Sequence, residues 1–266
     1  IAGILGLQYQ PRELEYNQKA QKIIDSGILI SRDVTYCPGC PHRATFWAMK
    51  NALRLNNKDG FLCNDIGCYG MELFPGGTQL TRTHFVMGSG TGIAHGLGKL
   101  RRFGFEQDVM AACGDSTFFH AALPALINAR YNQSKLLLVI MDNSTTGMTG
   151  FQPNPGTGTN AVGEPTPTID IEAVCRALGV RVEVTDPFDI AGTTQKMLGL
   201  LEEDGVSVLI SRRKCELLRA REEGTKPYRV WVDADKCQSD NCGCANYCGR
   251  NLKCPGLVWD KENKKA

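Results

Sequence analysis

Two stretches decide how this chain folds: Val109-Met-Ala-Ala-Cys-Gly114-Asp115-Ser116 and Leu137-Leu-Val-Ile-Met-Asp142-Asn143. Each is an apolar run of strand length closed by small polar residues. Asn143 follows Asp115 by 28 positions, room for one helix and the next strand. A crossover of that length joins parallel strands and sets the two polar tips side by side. In open parallel sheets, ligands bind just beyond such carboxyl ends.

Working outward, further strand-length runs lie at 61–63, 180–184 and 206–211, beside the central ones at 108–113 and 136–141. Helical stretches are expected at 41–55, 90–103, 117–131, 169–178 and 190–203, with a lead-in helix within 14–24. Strands alternating with helices predict an α/β fold with a mostly parallel sheet flanked by helices. Glycine is dense from 67 to 98, where backbone can approach a ligand closely. Residues 144–168, rich in Gly, Pro and Thr, read as one long loop, and such loops are often functional.

Asp115 and Asn143 offer a carboxylate and a carboxamide oxygen. Both are hard ligands, suited to Mg²⁺ or Ca²⁺, and Mg²⁺ lets substrate phosphates complete its shell. Thr145 adds a backbone carbonyl two residues on. A helix starting near Thr117 would present its N-terminus to phosphate. Taken singly, Gly-Asp reads as a strand-to-helix turn with an N-cap, and Asp-Asn as a polar turn. The paired placement favours the metal site.

The rest of the composition narrows the class. The chain has 266 residues, with 30 Lys plus Arg against 28 Asp plus Glu, a net charge of +2. No concentrated basic footprint implies a nucleic-acid partner. The longest apolar run, 136–141, is far too short for a membrane span. The first residue is Ile1, and the apolar start has no basic region before it, so a signal peptide is not expected. We expect a cytoplasmic protein of which an upstream part is absent or cleaved.

Cysteine is the outlier, with 12 in the chain. Without a secretory segment these read as metal or cluster ligands rather than disulfides. Cys37 and Cys40 form a Cys-Pro-Gly-Cys pair before a helix, Cys68 follows a glycine turn, and Cys215 follows a strand. Such loops can converge at one end of a parallel sheet, where four thiolates hold a [4Fe–4S] cluster or a zinc ion. Cys63, Cys113 and Cys175 lie in apolar contexts and are expected to be core thiols. The tail carries Cys237, Cys242, Cys244, Cys248 and Cys254-Pro255. A closing Cys-Pro fits bacterial ferredoxin style, whereas the internal spacing does not. We expect one tail [4Fe–4S] cluster with Cys237 and Cys254 as outer ligands, the other three competing for two places. A zinc knot is the alternative.

Gly114-Asp115-Ser116 followed by Asp142-Asn143 resembles the thiamine-diphosphate motif Gly-Asp-Gly…Asn-Asn, departing at Ser116 and Asp142. Cys37-Pro-Gly-Cys-Pro-His-Arg43, Asp65-Ile-Gly-Cys-Tyr69, Met87-Gly-Ser-Gly90, Gly114-Asp-Ser-Thr-Phe-Phe-His120 and Met148-Thr-Gly-Phe-Gln-Pro153 occur in order. Together they resemble the thiamine-diphosphate domain of 2-oxoacid:ferredoxin oxidoreductases over roughly residues 35–255. The nearest subgroup is the large (alpha) subunit of indolepyruvate ferredoxin oxidoreductase, C-terminal part.

The resemblance implies a thiamine-diphosphate-binding fold at 35–225, a lead-in segment at 1–34 and a ferredoxin-like iron–sulfur tail at 226–266. It assigns Asp115, Asn143 and the Thr145 carbonyl to Mg²⁺. Met87, Gly88, Ser89, Gly114, Ser116, Thr117, Met148 and Thr149 fall around the cofactor. Cys37, Cys40, Cys68 and Cys215 become ligands of a cluster near the thiamine. His42 is the best proton-handling candidate, and Arg43 a partner for phosphate or a substrate carboxylate. The implied reaction is oxidative decarboxylation of a 2-oxoacid, an arylpyruvate such as indolepyruvate favoured. The acyl group goes to coenzyme A and the electrons pass through clusters to ferredoxin. Thiamine enzymes also use a Glu on a second domain, which residues 1–34 do not supply, so a further domain or subunit is expected in a hetero-oligomer. Two rival readings are a non-oxidative thiamine-dependent decarboxylase or synthase and an electron-transfer subunit with a decayed thiamine fold.

Overall fold

The computed structural model describes residues 3–8, 14–27, 33–56, 60–224, 231–241, 249, 251–254, 259–260 and 262–266. The chain divides into two units, Ile1–Asp33 and Val34–Ala266. The described residues of the first include a helix, α1 (Leu14–Asp25), none of whose residues is buried. The expected boundary between a body and a tail near 225 falls among residues outside this description.

Among the described residues the second unit has six strands: β1 (Gly60–Asn64), β2 (Thr81–His84), β3 (Asp108–Gly114), β4 (Leu136–Asp142), β5 (Arg181–Thr185) and β6 (Val206–Arg212). They form one sheet in the order β2-β1-β3-β4-β6-β5, and every neighbouring pair is parallel. Gly114 pairs with Met141, so Asp115 and Asn143 leave adjacent strands at the same end of the sheet. That is the placement the 28-residue spacing predicts.

Apolar residues on alternate positions feed two cores. Val109, Ala111, Cys113, Leu136, Leu138 and Ile140 pack against α3 (Ser89–Lys99), α5 (Leu123–Tyr131) and α6 (Ile171–Ala177). Met110, Ala112, Leu137, Val139 and Met141 pack on the opposite face against α2 (Pro41–Leu55) and α7 (Ile190–Glu202). Strands covered on both faces read as continuous apolar runs, as β3 and β4 do. Full burial of a side chain such as Leu138 contributes about 1.5–3 kcal/mol. Pro41 opens α2, where its missing N–H costs nothing. Asp170 and Asp189 cap α6 and α7 by accepting from the backbone of Glu172 and Gly192.

Several expected elements take a different form. The helix expected at 117–131 is a short turn, α4 (Asp115–Thr117), then a π-turn (Phe118–Ala122), then α5. Pro124 lacks the N–H that would bond back to His120 and crowds that carbonyl, so the chain widens there. The helix expected at 90–103 ends as α-helix at Lys99 and finishes in a 3-10 turn before Gly104. Edge strand β2 and helix α8 (Glu216–Glu223) were not expected from the sequence. β2 is four residues long in a glycine-rich stretch, and α8 buries no residue, so neither leaves a strong periodic signature. The long loop 144–168 is pinned by bridges Thr146–Gln152 and Thr159–Pro165. Among the described residues no helix is long and apolar enough to cross a membrane.

Candidate active site

Three loops leave the carboxyl ends of β1, β3 and β4 and enclose a cavity of about 140 Å³. It is lined by His42, Tyr69 and Met87 together with Gly114–Thr117, Asn143 and residues 145–149. Asp115 Oδ1 accepts from the Ser116 amide at 2.7 Å, and Oδ2 from the Thr145 amide at 3.1 Å. The carboxylate is therefore fixed in direction by both loops it joins. Burial pushes its pKa up to about 6, against the pull of those backbone bonds. Asn143 Nδ2 donates to His42 Nε2 at 3.2 Å, leaving its Oδ1 available to a cation. Burial lowers His42 to about 4, so the ring is neutral at pH 7. Ser144, between Asn143 and Thr145, takes φ +60°, and this left-handed kink lets both neighbours reach the cavity.

Behind the cavity lies a buried hydrogen-bonded chain. Tyr69 donates its hydroxyl to Asp65 Oδ1 and lies 3.2 Å from Thr117 Oγ1. Asp65 Oδ2 accepts from the Gly88 amide at 2.8 Å. Burial raises Asp65 to about 6. The Tyr69 ring explains the glycine of the Gly-Asp motif: a Cβ on Gly114 would stand 3.0 Å from its Cε1, and one on Gly67 only 2.3 Å.

A second cavity, of about 290 Å³, adjoins the first and shares His42, Cys68, Asn143, Gly147 and Met148 with it. Cys37, Cys40, Cys68 and Cys215 all line it. The Cys215 amide donates to the Asn143 carbonyl at 3.0 Å, which ties the segment after β6 to the loop that carries Asn143. Cys40 is raised to about 12 and Cys68 to about 11, chiefly by burial, with the neighbouring thiols contributing in the same direction. Cys37 is raised by burial and by Cys215. A thiolate set in such a place needs a positively charged core to draw off its protons. Among the described residues no three His, Cys, Asp or Glu side chains close on a point that would hold a single metal ion. Cys63, Cys113 and Cys175 are buried free thiols in the core beneath, as their apolar contexts predict.

Of the sequence-derived site residues, His42, Met87, Gly114, Asp115, Ser116, Thr117, Asn143, Thr145, Met148 and Thr149 meet in the first cavity. Gly88 and Ser89 do not line it. Gly88 instead starts α3 at φ +84° and binds Asp65 through its amide. Arg43 is also placed elsewhere. Its guanidinium is taken up by Leu252 O and Thr35 Oγ1, so it is not aimed at a phosphate or a substrate carboxylate. Of the other histidines, His95 bonds Ser134 and Asn128, and His120 is exposed. Cys237 and Cys254 are half-buried. Cys242, Cys244 and Cys248 lie outside the described residues. Asp65, Tyr69 and Asn154 were not singled out as site residues. Asn154 stands beside Asp115, and its buried side-chain amide bears on that carboxylate, favouring the ionised form. Asp65 and Tyr69 do fall in a quoted motif, which was the available signal.

The donor chemistry of the first cavity fits a magnesium diphosphate: a fixed carboxylate, a carboxamide oxygen and glycine-lined backbone. Residues 65–211 match the thiamine pyrophosphate enzyme, C-terminal TPP binding domain, and the chain belongs to that family. Within it, this is a thiamine-diphosphate-binding domain related to archaeal IorA subunits. Indolepyruvate oxidoreductase subunit IorA of Pyrococcus horikoshii is 40% identical over 280 residues, covering 100% of this chain and 41% of that protein. The Archaeoglobus fulgidus subunit of that name is 38% identical over 238 residues, covering 87% of this chain and 36% of its own length. The chain thus spans about two fifths of the length of these curated relatives. A solved structure of 2-oxoglutarate:ferredoxin oxidoreductase from Magnetococcus marinus, with 2-oxoglutarate, coenzyme A and succinyl-CoA bound, shares the fold. Its TM-score is 0.61 at 18% identity, over 76% of this chain and 73% of that one.

Proposed function

We propose that this chain is the cofactor- and cluster-carrying part of a thiamine-diphosphate-dependent 2-oxoacid:ferredoxin oxidoreductase. The substrate class favoured is arylpyruvate, such as indolepyruvate, with coenzyme A as acyl acceptor and ferredoxin as electron acceptor. The observation that carries this reading is the pair of adjoining cavities. One presents hard oxygen ligands, the other four thiols, and they share a wall.

When bound, thiamine diphosphate supplies the carbon nucleophile and the electron sink for decarboxylation. Asp115, Asn143 and the Thr145 carbonyl hold its Mg²⁺. Ser116 and Thr117 offer polar groups beside the diphosphate. Met87 and Met148 flank the cavity with apolar surface. His42, neutral, with Nε2 accepting from Asn143 and Nδ1 therefore carrying the proton, is the proton-handling candidate at that wall. Cys37, Cys40, Cys68 and Cys215 would hold a [4Fe–4S] cluster in the adjoining cavity, able to take up electrons. Cys237, Cys254 and two of Cys242, Cys244 and Cys248 hold a second.

A partner domain or subunit supplies the cofactor-activating Glu in a cytoplasmic hetero-oligomer. The rim supports this: Ile66, Met87 and Met148 line the cavity yet remain partly exposed, and Phe85 and Val86 beside them are 61% and 71% exposed. Apolar surface of that kind marks an interaction site. A non-oxidative decarboxylase would leave the cysteine cavity without a task, and a decayed fold would not keep the Asp115–Asn143 site in order.

The test is anaerobic purification with bound partner, followed by iron and thiamine assay. Two clusters give about eight iron atoms per chain. Zinc in place of iron, or failure to retain thiamine diphosphate, overturns the reading. The chain without its partner is expected to bind cofactor weakly and to show no turnover; robust oxidation of a 2-oxoacid by the single chain would contradict the partner requirement.

A further inference from the structure

One guanidinium holds both ends of the loop that runs from β4 to α6. Arg212 ends β6 opposite Asp142 in the parallel register. Its Nε donates to Asp142 Oδ2 at 2.8 Å, and its Nη2 forms an ion pair with Asp170 Oδ1 at 3.6 Å. Asp142 and Asp170 stand 28 positions apart in the chain. Asp142 closes β4, and Asp170 caps α6 by accepting from the Glu172 amide. The origin of Arg212 is itself fixed. The Arg213 amide donates to the Asp142 carbonyl and the Cys215 amide to the Asn143 carbonyl, both at 3.0 Å.

Both grips lead to the Asp115 site. Asn143 follows Asp142 directly, and its side chain is held by His42. At the other end, the Ile169 amide, next to Asp170, donates to the Pro155 carbonyl at 3.0 Å. Asn154 precedes Pro155, is buried, and bears on the Asp115 carboxylate. Between these points the Thr146–Gln152 and Thr159–Pro165 bridges fold the loop on itself, so a shift at either end is passed inward with little slack. Asp142 also acquires a task. It is where the chain departs from an Asn-Asn pair, and a neutral Asn could not form this ion pair.

We propose that Arg212 is a positioning residue for the oxygen-ligand cavity: a clasp that joins Asp142 to Asp170, closes the ends of loop 143–169, and so holds Asn143 and Asn154 on either side of Asp115. The inference rests on the reading of that cavity as the magnesium–diphosphate site. An arginine suits the task because its planar fork offers donors to two carboxylates at once, whereas a lysine is a single point charge. The Arg212 side chain is 42% exposed and that of Asp170 58%, so solvent screens both arms and each shifts a local equilibrium only a few-fold.

The experiment uses the full chain, assembled with its partner and stripped of cofactor, as wild type, Arg212→Ala, Arg212→Lys, Asp170→Asn and the Arg212→Ala, Asp170→Asn double variant. Calorimetry measures thiamine-diphosphate binding with Mg²⁺, and amide exchange compares loop 144–168 with β3 and β4. Arg212→Ala is expected to weaken binding about threefold to tenfold and to speed exchange in the loop by a similar factor, with β3 and β4 unchanged. Asn still caps a helix, so Asp170→Asn should show a smaller loss that comes from the ion pair alone. That variant decides the matter if Arg212→Ala fails to fold. The double variant should bind no worse than Arg212→Ala, because both changes remove the same contact. Arg212→Lys, reaching one carboxylate at a time, should restore part of both readouts. Wild-type binding and loop exchange in folded Arg212→Ala, equal acceleration throughout the sheet, or additive losses in the double variant overturn the clasp and leave the cavity reading standing. Failure of the wild-type complex to bind thiamine diphosphate with Mg²⁺ overturns the cavity reading, and the clasp with it.

Discussion

The two cavities at the carboxyl end of the sheet share five residues and differ in nearly everything chemical. The cavity beneath β3 and β4 gathers the oxygens of Asp115, held by backbone bonds, and of Asn143, held through its amide nitrogen by His42. Its neighbour gathers four thiols. Burial raises Asp115 to about 6 but Cys40 to about 12. The carboxyl is therefore already mostly ionised at pH 7, whereas the thiols need a strongly cationic core to lose their protons. Proximity alone does not mix the two chemistries, because each donor is anchored by its own loop. Asn143 is the hinge between them: its side chain meets His42 and its carbonyl receives the Cys215 amide.

The sharpest way to break this picture is Asp115→Ala. Removing a direct ligand should cost more than the tenfold to hundredfold typical of outer-shell losses, so thiamine-diphosphate affinity with Mg²⁺ should fall at least about 100-fold. Iron content should stay at the wild-type level. Calorimetry and iron assay check both, and joint loss would mean that the cavities are not independent. Cys68→Ser is the reciprocal change. It should remove the body cluster, about half the iron of a two-cluster chain, and leave thiamine affinity nearly unchanged. Cys68 belongs to the shared wall, so a large loss of thiamine binding would show that the wall is one cooperative structure.

A smaller effect is expected at Asp65→Asn. With the amide oxygen kept on the Gly88 amide, Tyr69 must turn its proton to the Ile66 carbonyl, and exchanging a carboxylate hydrogen bond for neutral ones costs about 1–1.5 kcal/mol in denaturant unfolding. The pH dependence carries a definite sign. Asp65 titrates near 6 in the fold against an ordinary 3.8, so the folded state binds the proton more tightly. Wild-type stability should therefore fall as pH rises from about 4 to 6 through this group, and the variant should lack that component. The smallest change is Cys175→Ala, a core thiol: a loss of about 1 kcal/mol with unchanged iron. Loss of iron there would move Cys175 from the core to the ligand set.

Much of the site was legible because strand-end motifs are local. Gly114-Asp115 and Asp142-Asn143 announce their position by following apolar runs, and the register of Gly114 with Met141 follows from spacing. Gly88, Ser89 and Arg43 were harder. They stand next to motif residues in the chain, but the direction a side chain takes is set by partners far away in sequence. Arg43 meets a carbonyl 209 positions downstream. Asp65 and Tyr69 carried a motif without an evident task until their hydrogen bonds joined three loops.

By itself the sequence determined the α/β class, the neighbouring strand tips, the division of cysteines into core thiols and candidate ligands, and the family. These depend on periodicity and short-range order, which one strand or one helix can express. Only the tertiary structure decided that four cysteines from three separate loops line one cavity, that this cavity shares a wall with the cofactor site, and that Arg43 faces the tail. Those are convergences of residues up to two hundred positions apart. They arise when a parallel sheet brings its loops to one end and packing on both faces fixes which way each loop turns.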